Sequence, residues 1–209
     1  SSNEPPPMKI ALRLLLALVV FIGVLLLVLK LRYGGGSTGF PDLSGAPTLP
    51  DSALEVVAEL PTPPGNIAVS ADGRVFVSLH PEAKPKDTLV ELVGGKAQPW
   101  PSAQAQEQFI DVLGIRIDAQ NRLWTLDNGG HGIKPAKLTA FDVTSGAVLR
   151  EIVFARDIAG FGSHLNDFAV SPDGRSIYIA DASFFAKTPA LVVVDVASGS
   201  ARRLLQNHP

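Results

Sequence analysis

One short pattern occurs three times in this chain, and it constrains the fold more than any other feature. Each copy has an apolar stretch, a turn and a second apolar stretch: "NIAVSADGRVFVS" from Asn66, "GIRIDAQNRLWTL" from Gly114 and "DFAVSPDGRSIYI" from Asp167. The residues at the turns are Asp72-Gly73, Gln120-Asn121 and Asp173-Gly174. Such residues accept the positive φ of a tight turn, so the pattern predicts three β-hairpins spaced by about 50 residues.

A second hairpin follows each of these three. Its predicted turns are Gly94-Gly95, Ser145-Gly146 and Ser198-Gly199. Each unit therefore has four strands, and four-stranded antiparallel sheets repeated every 40–50 residues are typical of β-propeller blades. An ordinary β-sandwich with chance internal similarity is the alternative. We predict an all-β protein with blades at about 65–101, 113–154 and 165–205.

Three blades are fewer than a closed ring needs, because known propellers have at least four. We therefore expect the chain to be the N-terminal part of a longer protein. Two half-rings that meet as a dimer are the alternative. The stretch "ALEVVAEL" (Ala53–Leu60) is predicted to form one more strand ahead of the first blade.

A long apolar segment near the N-terminus predicts a membrane helix. Leu14–Leu29 contains no polar side chain, and the segment Ile10–Leu31 would be roughly 33 Å long as a helix, enough to cross a bilayer. Lys9 and Arg13 precede or interrupt it, and no Ala-x-Ala-like cleavage site follows. We predict an uncleaved anchor, with a cleaved signal peptide as the alternative.

The domain organisation follows from these segments. The prediction is an N-terminal tail (1–9), a transmembrane helix (10–32), a Gly/Pro/Ser-rich linker (33–52) and a partial propeller (53–209). The membrane is thus one partner, and the propeller is expected on the periplasmic or extracellular side. After Tyr33, acidic residues outnumber basic ones by 19 to 14 and form no basic stripe, so we expect no nucleic-acid partner.

Four motifs in a fixed order resemble one family. They are "DVLGIRIDAQNRLWTLDNG", "KPAKLTAFDVTSGAVLREIVF", "SHLNDFAVSPDGRSIYIADAS" and "ALVVVDVASGSARRLL". In this order they resemble the Yellow/major royal jelly protein family in its bacterial branch. The resemblance implies a six-bladed β-propeller, of which about three blades are present here. It also implies export and a small molecule bound in the axial funnel, or alternatively a dopachrome-type isomerase.

A more distant resemblance is to the six-bladed gluconolactonase/regucalcin group, which implies a metal-dependent lactone hydrolase. That group holds one divalent metal, such as calcium, at the propeller axis. Its ligand positions fall on Asn66, Gly114 and Asn166 in this sequence, so Asn66 and Asn166 are the candidate metal ligands. Gly114 has no side chain to offer. A propeller that acts only as a scaffold for protein partners is the third alternative.

Several side chains are candidates for the funnel site because they begin the first strand of a blade. They are Asn66, Asn166, Asp167 and His164. His131 lies in the Gly-rich "NGGHG" loop, a type of loop that can form a lid. Asp127 and Asp181 each end a second strand, where we expect them to bind turn amides between blades. Trp100, Trp124, Phe141 and Tyr178 are expected to pack between blades.

Overall fold

The computed structural model describes residues 8–34, 39, 41, 45 and 49–206. It divides into two compact units, Ser1–Ala53 and Leu54–Pro209. Most of the predicted tail (1–9) and much of the predicted linker (33–52) lie outside the described residues.

The first unit contains the helix α1 (Met8–Tyr33). Apolar side chains cover its whole circumference, and they are exposed along its length. The stretch Lys9–Tyr33 has a mean hydropathy of 3.1 and is long and apolar enough to cross a membrane. A signal sequence near an N-terminus can also be this long and apolar.

The second unit consists of three four-stranded sheets, and in each sheet the strands pair antiparallel in chain order. The first sheet contains β1 (Pro64–Val69), β2 (Val75–Leu79), β3 (Leu89–Val93) and β4 (Lys96–Pro99). The second contains β5 (Val112–Ile117), β6 (Arg122–Asp127), β7 (Lys137–Asp142) and β8 (Val148–Val153). The third contains β9 (Leu165–Val170), β10 (Ser176–Asp181), β11 (Ala190–Asp195) and β12 (Ala201–Leu204). These are three blades of a β-propeller, which confirms the predicted fold class.

Short helical turns complete the described elements of this unit. Between β6 and β7 lies the four-residue turn α2 (Gly129–Gly132). Turns of 3-10 helix span Pro81–Ala83 and Gln104–Gln108, and a further one, Asp51–Ala53, belongs to the first unit. The prediction of a strand over 53–60 is wrong, because Leu54–Leu60 pairs with no described strand and has no regular secondary structure.

The first strand of each blade faces the propeller axis. β1 lies beside β5, and β5 lies beside β9, so these three inner strands form an arc. The buried residues fill the spaces between neighbouring blades. Between the first two blades they include Phe76, Leu89, Ile115, Leu123 and Phe141. Between the second and third they include Trp124, Leu138, Leu165, Ile177 and Val192.

Aromatic rings join the first two blades. Trp100 meets Phe76 edge to face at 4.9 Å and Phe141 at 5.5 Å, so the predicted packing role of Trp100 and Phe141 is confirmed. Trp124 is fully buried, as predicted. Tyr178 was expected between blades but is 42% exposed, because it lies on the face of the third blade that no described residue covers.

Each inner strand has a β-bulge close to its start. The pairing register with the second strand shifts at Pro64–Asn66, at Val112–Ile115 and at Leu165–Asp167. An extra residue at such a point bends the strand and re-aims the side chains beside it. The three bulges therefore determine which side chains at the strand starts point toward the axis.

Candidate functional site

A cleft opens at the end of the blades where the inner strands begin. Its volume is about 260 Å³. Four loops line it: those after β2 and β6, and those before β5 and β9. The polar lining comes from His80, Glu82, Asp111, Asn128, His131 and His164. The loops meet here because the antiparallel strand order brings every second connection to the same end of the blade.

Asp127 fixes two of these loops. Its side chain is fully buried, and its carboxylate accepts hydrogen bonds from the backbone N–H groups of Ile110 (2.8 Å), Asp111 (3.0 Å) and Gly129 (3.0 Å). The loop before β5 and the loop after β6 are thereby held together. The predicted structural role of Asp127 is confirmed.

Asp181 does the same in the third blade. It accepts from the N–H groups of His164 and Ser183, both at 2.8 Å, and from the guanidinium of Arg203 at 2.7 Å. Its carboxylate is completely buried, while the Arg203 side chain is only 13% exposed. The backbone of His164 is thus fixed where it enters the cleft.

The loop after β6 carries His131 into the cleft through left-handed backbone. Gly129, Gly130 and His131 have φ values of 67°, 65° and 57°. The Asn128 side chain accepts from the His131 N–H at 2.8 Å, which stabilises this conformation. The ring of His131 meets that of His164 edge to face, with 4.7 Å between centroids. Nδ1 of His131 is buried and has no hydrogen-bond partner among the described residues.

Asp111 lies beside this imidazole pair. Burial raises the pKa of its carboxyl group above the ordinary value, and the nearby carboxylate of Asp127 raises it further. A hydrogen bond from Asn128 and the two imidazoles act in the opposite direction but do not outweigh burial. The cleft therefore combines a carboxyl group with an elevated pKa and an unpartnered imidazole nitrogen.

A second polar cluster lies on the inner strands, at the axis. One Nη of Arg116 donates to Oδ1 of Asn66 at 2.8 Å, and the other donates to Oδ2 of Asp167 at 2.6 Å. Nδ2 of Asn66 lies 3.4 Å from Oδ1 of Asp167, to which it donates. These three residues come from three different blades and form what we call the axial cluster.

The predicted site residues therefore separate into three groups. Asn66 and Asp167 meet in the axial cluster, and His164 lies in the cleft. Asn166 joins neither group: it sits at the bulge of β9 and is exposed, and its neighbour Asp167 is the residue that Arg116 contacts.

The side-chain oxygens found at the axis among the described residues do not fit the calcium site that the lactonase resemblance implies. Calcium takes six to eight oxygen ligands. Here Oδ1 of Asn66 and the carboxylate of Asp167 are already bound by Arg116. Within the described ranges, no three His, Cys, Asp or Glu side chains are grouped so that they could hold a metal ion.

Arg116 and Asp111 are not among the site residues predicted from the sequence. Arg116 occupies the repeat position at which the other two copies have Ala68 and Ala169. A charged residue where the other two inner strands have alanine is a signal in the sequence that could have identified Arg116. Asp111 precedes its strand and has no counterpart in the repeat alignment, so only the fold brings it next to His131.

Comparison with known proteins agrees with the stated resemblance. Residues 110–208 match the family model described as major royal jelly protein. Major royal jelly protein 9 of Apis mellifera is 30% identical over 115 residues, which cover 50% of this chain and 26% of that protein. The resemblance to this family is thus confirmed, while the chain spans about a quarter of that relative's length.

Solved structures with a related shape include two enzymes. A gluconolactonase from Xanthomonas campestris has 18% sequence identity and a TM-score of 0.48, with 72% of this chain and 50% of that chain covered. Hydrazine synthase from Kuenenia stuttgartiensis has 16% identity and a TM-score of 0.48, with 68% and 37% covered.

Proposed function

We propose, on the basis of the match of residues 110–208 to the major royal jelly protein family, that this chain is a membrane-anchored, extracytoplasmic propeller that binds a small molecule in its axial funnel. The observation that carries this proposal is the cleft at the starts of the inner strands. Four loops from three blades converge on it, and the buried carboxylates of Asp127 and Asp181 hold three of those loops in place.

The lining of the cleft supports a binding role. Ile110 and Leu113 supply apolar surface, whereas Asp111, His131 and His164 supply a few convergent polar groups. This mixture is typical of ligand sites, which are mostly apolar with a small number of placed polar groups. The volume of about 260 Å³ lies just below the range of roughly 300–1,000 Å³ for drug-sized ligands. The ligand is therefore expected to be small.

The test is a binding screen of aromatic amines, lactones and related small molecules against the full-length protein in detergent. A ligand of the cleft should lose at least about tenfold in affinity in His164→Ala and His131→Ala. The matched control is Asp142→Ala, which changes an exposed turn at the opposite end of the blade. Equal affinities in all three variants would contradict binding in the cleft.

An isomerase is the second candidate, and Asp111 favours it. An enzyme that moves a proton within its substrate needs one group that accepts the proton and another that donates it. The elevated pKa of Asp111 suits a donor, and the imidazole of His131, which lines the same cleft, suits an acceptor. For a substrate found in the screen, Asp111→Asn should abolish turnover while binding persists. Unchanged turnover in this variant would exclude Asp111 as the donor.

Anchoring by α1 is the other part of the proposal, and it rests on the length and apolar character of this helix. The uncleaved protein should stay in the membrane pellet after an alkaline carbonate wash. Protease added outside intact cells should degrade the propeller. Recovery of a soluble product whose N-terminus lies beyond Tyr33 would identify the helix as a cleaved signal peptide instead.

A further inference from the structure

The axial cluster brings oxygen atoms from two blades toward a single point. Oδ1 of Asn66 comes from the first blade and Oδ2 of Asp167 from the third, and both accept hydrogen bonds from the guanidinium of Arg116 on the second. Backbone N–H groups of the following residues, Ile67 and Phe168, bind the same Asn66 Oδ1 and the other Asp167 oxygen at 2.8 Å each. These bonds fix both acceptors in their direction.

Gly114 makes this convergence possible. A Cβ atom at this position would lie 3.0 Å from the carbonyl oxygen of Asn166 and 3.3 Å from Oδ1 of Asp167. A side chain would therefore press on Asp167 and its strand. Because Gly114 leaves this space open, Asp167 can approach β5, and Arg116 two residues later reaches both acceptors.

We infer that Arg116 is a built-in axial cation: its guanidinium takes the place that a metal ion would hold and joins the inner strands of three blades. The acceptors around it are one carboxylate and one amide oxygen, which together favour a positive charge. A guanidinium meets them with fixed, directed donors and needs no metal supply. It also donates to the carbonyl of Ile115 at 2.7 Å, which holds the side chain against its own strand.

Two consequences follow. The stability of the wild-type protein is independent of divalent metals. Removal of the guanidinium leaves the Asn66 and Asp167 oxygens side by side without their cation, so the variant is less stable whether or not a divalent metal is present. One carboxylate and one amide oxygen are too few to hold calcium, which takes six to eight oxygen ligands.

The experiment follows the thermal unfolding of the full-length protein in detergent, with EDTA and with millimolar CaCl₂. The wild-type Tm should be the same in both. Arg116→Ala should lower Tm by about 5 °C both in EDTA and in calcium. Arg116→Lys, which keeps a cation, should lose less. The double variant Arg116→Ala/Asp167→Asn should be no less stable than Arg116→Ala, because the carboxylate has already lost its cation.

Three results would overturn the inference. One is a calcium-dependent Tm in the wild type that Asp167→Asn abolishes, which would place a metal at the axis beside Arg116. Another is an Arg116→Ala protein as stable as the wild type. The third is a destabilised Arg116→Ala protein whose stability calcium restores, because a metal would then fit the Asn66 and Asp167 oxygens. If Arg116→Ala does not fold, Arg116→Gln carries the same test with a neutral side chain of similar length.

Discussion

Replacement of Asp127 by alanine should destabilise the protein strongly, because one side chain serves three backbone donors. The carboxylate is 1% exposed and accepts from the N–H groups of Ile110, Asp111 and Gly129 at 2.8–3.0 Å. A buried donor left without an acceptor costs about 1–3 kcal/mol. Water can reach part of the Ile110–Asp111 segment, so we expect Asp127→Ala to lower the free energy of unfolding by about 3–5 kcal/mol.

The matched control is Asp142→Ala. Asp142 also binds a turn amide, the N–H of Ser145 at 2.7 Å, but its turn is exposed and water can replace the lost acceptor. Asp142→Ala should lower the free energy of unfolding by about 1 kcal/mol or less. Urea unfolding followed by tryptophan fluorescence measures both, since Trp100 and Trp124 are buried in the native blades. Equal losses for Asp127→Ala and Asp142→Ala would refute the account of Asp127 as the clamp between two loops.

Three further predictions concern other parts of the second unit. Burial raises the pKa of the Asp111 carboxyl group, so the folded chain holds this proton more tightly than the unfolded chain does. The protonated carboxyl group therefore adds to the free energy of unfolding. This contribution is present below the unfolded pKa of about 3.9 and is lost as pH rises through the folded pKa. Asp111→Asn should therefore have a higher Tm than the wild type at about pH 7, and the difference should vanish below about pH 4, whereas a constant difference would contradict the assignment. Gly132→Ala should unfold at clearly lower temperature in a thermal melt, because its φ is +72° and its Cβ would lie 2.0 Å from the carbonyl oxygen of Gly160. Trp100→Ala should lower the free energy of unfolding in urea by about 3–5 kcal/mol, because it removes the edge-to-face contacts between the first two blades. A decrease below about 1 kcal/mol would show that these contacts contribute little to stability.

The repeat pattern predicted the blades because each blade is built from local features. The glycines predicted at the turns, such as Gly73, Gly94 and Gly174, all have positive φ. The strands between these turns either alternate apolar and polar residues or are apolar throughout, as blade strands are. The strand predicted over 53–60 failed because a β-strand needs a partner, and an apolar pattern alone does not supply one.

The site was harder to predict because it depends on geometry between distant residues. The repeat alignment placed Asn66, Gly114 and Asp167 at equivalent positions, and two of these do meet at the axis. It could not show that Arg116 reaches across both neighbours, since this depends on the empty space at Gly114. Asn166 and Asp167 are adjacent in sequence, and the pairing of β9 shifts beside them, so the sequence alone could not show which of the two would meet Arg116.

The bulges at the starts of β1, β5 and β9 also affect what else the inner strands can pair with. Each inner strand is the edge of its sheet, so one side of its backbone has N–H and C=O groups without strand partners. A regular edge of this kind can take up a strand from another molecule and start aggregation. The bulge breaks the regular spacing of these groups at the mouth of the funnel. At the starts of the inner strands, an extended peptide would therefore meet no regular edge along which to add.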